Sequence, residues 1–381
     1  MRFMKFIHLS DLHLGKSVNG FSMIEDQKYI LIKILNVIDE VEPDGVLIAG
    51  DVYDKSIPSV EAVKLFDDFL SRLAKRGLQV FIISGNHDSP ERLSFAADLI
   101  GQSGIHISQV YNGKVRAIPL TDEYGQVNVY MLPFIKPVHV RNIFPEENIE
   151  SYTDGIRTAI SHMDIDEKQR NIILTHQFVT GAQCAGSEEI LVGGSDNVSA
   201  AVFDRFDYVA LGHIHKAQQV GEERIRYCGT PLKYSFSEAK HHKSVSIVEL
   251  KEKGNLEVRT VNLVPRHDMR ELVGTYEELT NRKNYEGTAV EDYLRITLTD
   301  EEDILDAMAK LRIIYPNLML LRYDNMRTRE NSMTTQVQDT ENKTPLELLQ
   351  EFYELQNNQP MGEEQTAFCT ELIEKIWGNK S

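Results

Sequence analysis

The sequence predicts an α/β fold, and three observations carry that expectation. Short aliphatic runs such as Val46–Ala49 and Val80–Ile83 alternate with longer stretches whose apolar residues recur at helical spacing. The opening order is strand, helix, strand, helix, strand, which calls for right-handed crossovers and a largely parallel core. Each strand run also stops directly before residues able to bind a ligand, and in open α/β sheets ligands sit beyond the carboxyl ends of strands. At 381 residues the chain is too long for one compact core and is read as two domains plus extras.

Lys5–Ser10 reads as the first strand and runs into Asp11-Leu12-His13-Leu14-Gly15, where Asp and His two apart in extended backbone can reach one centre. A helix over Met23–Val41 carries Ile24, Ile30, Ile34, Leu35 and Ile38 as an apolar stripe. Pro43-Asp44-Gly45 turns the chain into the second strand, Val46–Ala49, which ends on Gly50-Asp51-Val52-Tyr53-Asp54. Ser59 is placed to cap a second helix that runs to Arg76. The third strand, Val80–Ile83, leads without a gap into Ser84-Gly85-Asn86-His87-Asp88. Pro90 suits the first turn of a helix over Glu91–Ile100. Gly113–Pro119 and Val127–Leu132 read as strands around a turn at Glu123-Tyr124-Gly125. A helix at Ser151–His162 precedes Ile172–His176, again a strand with a His at its carboxyl end. Gly181–Val198, rich in Gly, Ser and Asp, is expected to loop over the site. Tyr208–Leu211 feeds Gly212-His213-Ile214-His215, and Arg224–Cys228, Ser244–Leu250 and Leu256–Val264 read as further strands.

The texture changes near Pro265, so residues 1–264 are read as the first domain. Strands at Tyr293–Leu298 and Leu318–Tyr323 around a helix at Glu301–Ile314 suffice for a small α/β domain over 265–328. Residues 329–343 are polar and aperiodic, the composition of a linker. Residues 344–381 hold two amphipathic helices, one with Leu346, Leu349, Phe352 and Tyr353 on a face, the other with Phe368, Leu372, Ile373, Ile376 and Trp377.

Composition narrows the class. Apolar residues make up 41% and charged residues 26%, which is globular usage. Cys184, Cys228 and Cys369 form no CxxC pair, which argues against a thiolate zinc site or a disulfide framework and fits reduced thiols in a cytoplasm. No secretory segment and no membrane-length apolar run is present. The formal charge of −17 argues against a protein that grips nucleic acid through its overall field. Cations, local bases or a partner must offset that charge if DNA is the substrate. Lys16, Arg92, Lys216 and Lys233 lie close to motifs but read first as solvated surface.

Five strand ends thus deliver Asp11, His13, Asp51, Asn86, His87, His176, His213 and His215. Singly, each has an ordinary reading as a turn or surface residue; five coincidences at strand ends argue against it. The Gly-His-Ile-His run, read as extended, offers two imidazoles within four residues, which can address two centres. Nitrogen and carboxylate donors without thiolate suit Mn²⁺, Fe²⁺ or Zn²⁺. Seven such donors are too many for one ion and suit a pair about 3.5–4 Å apart sharing a carboxylate, an arrangement that favours in-line displacement at phosphorus. Asp51 is the natural bridge. His87 is left to stabilise the transition state or protonate the leaving oxygen, with Asp88 fixing its orientation.

The series Asp11-Leu12-His13, Gly50-Asp51, Gly85-Asn86-His87-Asp88, Thr175-His176 and Gly212-His213-Ile214-His215 resembles the calcineurin-like metallophosphoesterases. Longer stretches, Ile7–Gly15, Ala49–Asp54, Ser84–Pro90 and Tyr227–Pro231, are similar to nuclease subunits of the SbcC–SbcD type. The resemblance implies a β-sandwich with flanking helices, a small α/β capping domain and a C-terminal helical pair. It implies one ion held by Asp11, His13, Asp51 and His215 and a second by Asp51, Asn86, His176 and His213, with His87 catalytic and manganese the working ion. It further implies DNA as substrate, cut from duplex ends and at hairpins or single strands, and an SbcC-type ATPase as partner in a heterotetramer. The helices at Ser59–Arg76 and Glu91–Ile100 would pair two copies of the chain, and the terminal helices would dock on the ATPase. One position departs from archaeal and eukaryotic relatives: Asp54 stands where they carry a histidine. The rival enzyme reading is a phosphodiesterase acting on small molecules or cyclic nucleotides, and the non-catalytic rival is a DNA-contacting scaffold.

Overall fold

A computed structural model describes residues 3–184, 188, 196–326, 328, 345–357 and 360–377. In chain order the main elements are β1 (Met4–Leu9), α1 (Ile24–Val41), β2 (Gly45–Ala49), α2 (Val60–Lys75), β3 (Gln79–Ile83), β4 (Ile105–Ile107), β5 (Ile118–Asp122) and β6 (Gly125–Leu132). There follow α3 (Pro137–Ile143), α4 (Tyr152–Ser161), β7 (Arg170–His176), β8 (Tyr208–Gly212), β9 (Gln218–Val220), β10 (Glu222–Tyr227), β11 (Ser244–Leu250) and β12 (Leu256–Asn262).

These strands form two six-stranded sheets, β12-β11-β1-β2-β3-β4 and β9-β10-β8-β7-β6-β5. The expected parallel core is present in each: β1, β2, β3 and β4 run parallel, as do β6, β7, β8 and β10. The outer strands β11, β12, β5 and β9 pair antiparallel, so the sheets are mixed rather than purely doubly wound. Period-two side chains explain the layering. Phe6, Leu47, Phe81 and Ile83 of the first sheet interleave with Val127, Val129, Ile172, Leu174, Tyr208 and Ala210 of the second in one buried cluster. The opposite faces receive the helices. Ile30, Ile34 and Ile38 of α1 and Phe66, Phe69 and Leu73 of α2 pack on the first sheet, while Ile156, Ala159 and Ile160 of α4 pack on the second. The result is a β-sandwich with flanking helices.

Local chemistry set most boundaries. Ser59 caps α2 by accepting from the Ala62 N–H at 3.2 Å. Two expected helices are shorter than their periodicity suggested. Glu91–Ile100 divides into Pro90–Leu93 and Ala97–Ile100, because Ala96 adopts a left-handed φ of 60°. Glu301–Ile314 reduces to Ala307–Arg312, preceded by Asp306 with φ 54°. The strand β4 was not expected; three residues are too few to show a period.

The chain divides into two compact units, one comprising residues up to Glu271 with Ala289–Arg295 and Asn317–Leu320, the other the remainder. It passes between them within three strands, Met269–Gly274, Tyr293–Leu298 and Leu318–Tyr323, which form a sheet in that order. The second unit also holds the helices Pro345–Asn357 and Glu363–Trp377. Gln365 on the latter donates to the Tyr353 hydroxyl at 2.9 Å, while Phe352 and Phe368 remain exposed. The expected linker at 329–343, most of the Gly181–Val198 loop, and the side chains of Ile376 and Trp377 lie outside the described residues.

The two sheets come close together where β8 ends. A Cβ on Gly212 would stand 1.8 Å from the Ala49 carbonyl oxygen and 2.6 Å from Nδ1 of His176. Backbone cannot step aside as a flexible side chain can, so Gly212→Ala is expected to destabilise by about 1–3 kcal/mol or more. Gly101, with φ −53° and open space around it, should accept alanine without loss. Denaturant midpoints of the two variants would check the contrast.

Candidate metal centre

Both sheets present the carboxyl ends of their central strands at one edge. β1, β2 and β3 are neighbours in the first sheet and lead into Asp11 and His13, Asp51, and Asn86 to Asp88 respectively. β7 and β8 are neighbours in the second and bring His176, His213 and His215. The turns after β1 and β2 zip together: the Asp11, His13 and Leu14 N–H groups donate to the carbonyls of Gly50, Asp51 and Val52 at 2.9–3.0 Å.

These turns are not extended, contrary to the expectation for Asp11–His13 and for His213–His215. Asp11, His13, Asp51 and His213 have φ of 53°, 45°, 49° and 100°. They are half of the eight non-glycine residues with positive φ among the described residues. Left-handed backbone at an L-residue costs of order 1–3 kcal/mol and persists where the surroundings over-determine it. Here the strained residues are themselves donors, so the turns that hold them also set where their side chains stand.

All seven expected donors converge there. Nε2 of His13 lies 3.2 Å from Nε2 of His215 and 3.7 Å from Oδ2 of Asp51. Nε2 of His176 lies 3.3 Å from the same Asp51 oxygen and 3.0 Å from Oδ1 of Asn86, which is also 3.0 Å from Nδ1 of His213. Asp11 accepts from the His213 N–H at 3.0 Å. Asp11, His13 and His215 form one cluster with donor atoms mutually within 4.8 Å, and Asp11, Asp51 and His176 another. Asp51 thus faces both sets of imidazoles, as a bridging carboxylate must. Glycine permits the approach: a Cβ on Gly85 would stand 2.1 Å from Oδ1 of Asp51, and one on Gly50 2.3 Å from Nδ1 of His176.

The electrostatics suit a cation. Burial holds the His13 imidazole well below its usual range, and burial with the nearby His176 brings His213 down to about 3. Both are therefore neutral donors. Burial also opposes charge on His176, yet the Asp51 carboxylate raises it to about 9, and the pair shares one proton in the bare protein. Nδ1 of His13 is buried with no hydrogen-bond partner, and the two facing Nε2 atoms of His13 and His215 cannot both carry protons. Seven nitrogen and oxygen donors, with lone pairs turned inward and no thiolate among them, fit a pair of divalent cations.

His87 stands at the rim, 21% exposed, with Nε2 4.0 Å from Asp51. Its orientation corrects the sequence reading. Nδ1 of His87 lies 3.1 Å from the Asp54 carbonyl, and no hydrogen bond joins Asp88 to the ring. Asp88 instead accepts from the Val52, Tyr53 and Gly85 N–H groups at 2.9–3.1 Å, tying the β2 turn to the β3 turn. Burial and then the Asp51 charge still push its carboxyl up to about 6. Asp88 is a loop brace.

Two further acids belong to the site. Asp54 Oδ1 pairs with Nζ of Lys16 at 2.5 Å and lies 3.7 Å from Nδ1 of His13. Its place three residues after Asp51 was the available hint. Glu238, fully buried, lies 3.5 Å from Nδ1 of His215 and pairs with Lys243. It sits in no motif, and nothing local in the sequence marked it. Of the bases near motifs, Lys16 is bound to Asp54, Lys216 donates to Gln183 at 2.7 Å, and Lys233 pairs with Asp268 at 2.8 Å.

Two protein families match the chain. The family model described as calcineurin-like phosphoesterase matches residues 4–217, and SbcD_C, described as the Type 5 capsule protein repressor C-terminal domain, matches residues 265–357. Among solved structures, TT1561 of Thermus thermophilus is 13% identical over 68% of this chain and 99% of that one, with a TM-score of 0.37. A dimetal phosphatase from Danio rerio is 12% identical over 69% and 100%, with a TM-score of 0.39. The E. coli phosphoesterase Yfce is 12% identical over 68% and 100%, with a TM-score of 0.26. With a family model spanning more than half of its length, the chain belongs to the calcineurin-like phosphoesterases, enzymes that hydrolyse phosphoesters with metal.

Proposed function

We propose that the chain is the nuclease subunit of an SbcC–SbcD-type complex, hydrolysing phosphodiester bonds of DNA with two Mn²⁺ ions. The observation that carries the hydrolytic reading is the meeting of donors from five strand ends of both sheets around Asp51. The match of residues 265–357 to the SbcD_C model supports the nuclease assignment over a phosphodiesterase for small molecules. Asp11, His13, Asp51 and His215 would hold one ion, and Asp51, Asn86, His176 and His213 the other. When bound, the ions would supply Lewis-acid activation of water and neutralise charge on the phosphate.

The protein's own groups do the rest. The Asp51 carbonyl accepts from the His13 N–H and its Oδ1 from the His87 N–H, both at 2.9 Å, so the carboxylate is presented rigidly. The Asp54 carbonyl accepts from Nδ1–H of His87, which leaves Nε2 to face the phosphate and, in the imidazolium form, to hand its proton to the leaving oxygen. Lys16, beside the same Asp54, keeps that carboxylate from competing as a ligand. The residues from 265 to 328 would cap the site over DNA, and the exposed faces of the two terminal helices would dock on the ATPase. The pairing of two copies would use α2 and the short helices after Asp88. A net charge of −17 gives that partner a physical task, since this chain offers DNA little attraction of its own.

Purified chain with Mn²⁺ is expected to cut hairpin DNA and to leave cyclic nucleotides intact; the reverse preference would replace the nuclease by the small-molecule phosphodiesterase. His87→Ala should lower cleavage by about 10²–10⁴-fold while both ions remain bound, as read by gel assay and metal analysis. Because His176 carries a proton up to about pH 9, Mn²⁺ uptake at pH 7 should release about one proton and none above pH 10. Calorimetry in buffers of different ionisation enthalpy measures that number. Removing residues 344–381 should abolish capture of an SbcC-type ATPase without changing metal content.

A further inference from the structure

Beyond the seven donors, the Glu238–Lys243 ion pair lies in the interior beside the site and is not used by the hydrolytic reading. Glu238 is fully buried and Lys243 only 6% exposed, on a stretch between β10 and β11 that contains none of the strand-end motifs. Isolated buried charges cost several kcal/mol, so such a pair persists where its remaining bonds are satisfied. Lys243 meets that demand. Its Nζ donates to Glu238, to the Thr230 hydroxyl at 2.6 Å and to the His215 carbonyl at 2.9 Å.

Glu238 is satisfied on one side only. Oε2 takes the lysine and lies 3.4 Å from the Thr230 hydroxyl. Oε1 is buried without a hydrogen-bond partner and faces Nδ1 of His215 at 3.5 Å. The opposite nitrogen of that ring, Nε2, is the one turned to His13 and the donor cluster. The His215 main chain is held as well, its carbonyl by Lys243 and its N–H by Glu188 at 3.0 Å. Ring, carbonyl and amide of one residue are thus all gripped by charged side chains outside the donor set.

We propose that the Glu238–Lys243 pair is the positioning device of the metal centre: Glu238 accepts the Nδ1–H of His215, so that Nε2 presents its lone pair to the cation held with Asp11 and His13. A carboxylate behind a ligating imidazole fixes the tautomer and the ring direction and makes the free nitrogen a better donor. Lys243 sets the height of that carboxylate and, through the His215 carbonyl, the height of the ligand itself. The inference rests on the two-ion reading and concerns one of the two subsites.

The test is metal binding by the full chain. Mn²⁺ titration of the parent by calorimetry should show two sites, and Glu238→Gln should weaken one of them about 10–100-fold while leaving the other unchanged. The amide is isosteric, so a purely structural role would move the melting temperature of the metal-free protein and leave both affinities alone. Two parental affinities in the variant would overturn the inference. A parent that binds no ion would overturn the two-ion reading, and this inference with it. A second measurement needs no foldable variant: in the Zn²⁺-loaded parent, nitrogen NMR should find the His215 ring protonated at Nδ1, its signal assigned by loss in His215→Gln. A proton at Nε2 instead would be fatal to the proposal.

Discussion

The hydrogen bond from Nδ1 of His176 to the carbonyl of Ala49, 2.8 Å long, is the contact from which the rest of the site is built. It joins the last residue of β7 in one sheet to the last residue of β2 in the other, and so sets how closely the sheets approach at this edge. Donating Nδ1–H to a carbonyl also decides which ring nitrogen turns inward, and Nε2 of His176 meets Asp51 and Asn86. Gly50 and Gly212 flank this contact because any side chain there would occupy the space of the imidazole or the carbonyl.

The same economy of space explains the unusual backbone. Four donor residues are held at positive φ, and all four are Asp or His, the side chains enriched among the non-glycine residues found there. The strain is held by the ladder between the β1 and β2 turns and by Asp88, whose two oxygens accept three backbone N–H groups. A rigid frame of this kind holds two buried carboxylates, Asp11 and Asp51, among imidazoles of which His13 and His213 are neutral. That is the electrostatic condition under which bound cations are most favoured.

Much of this was legible in the sequence, for a physical reason. Parallel strands buried on both faces read as short aliphatic runs, and the residues directly after each run must lie at the sheet edge. Asp11, His13, Asp51, Asn86, His176, His213 and His215 could therefore be gathered without coordinates. The helix α1 declared itself by its apolar stripe and α2 by the Ser59 cap. What stayed hidden depends on backbone angles and long-range packing. Positive φ at Asp or His has no sequence pattern, so nothing in the sequence distinguishes these donor turns from extended backbone. Asp88 looked like a partner for its neighbour His87, yet its bonds go to the Val52, Tyr53 and Gly85 N–H groups. Glu238 lies 23 residues past His215, and only folding brings them together.

Because the donors are divided between two sheets, occupancy and cohesion are one equilibrium. A cation held by Asp51 of one sheet and His176 of the other would act as a rivet through the sandwich. By mass action, ligand at a hundred times its dissociation constant adds about 2.7 kcal/mol to the folded state. Scarcity of the ion would then loosen the architecture as well as silence the chemistry, and resistance to heat would report how well the protein is supplied with metal.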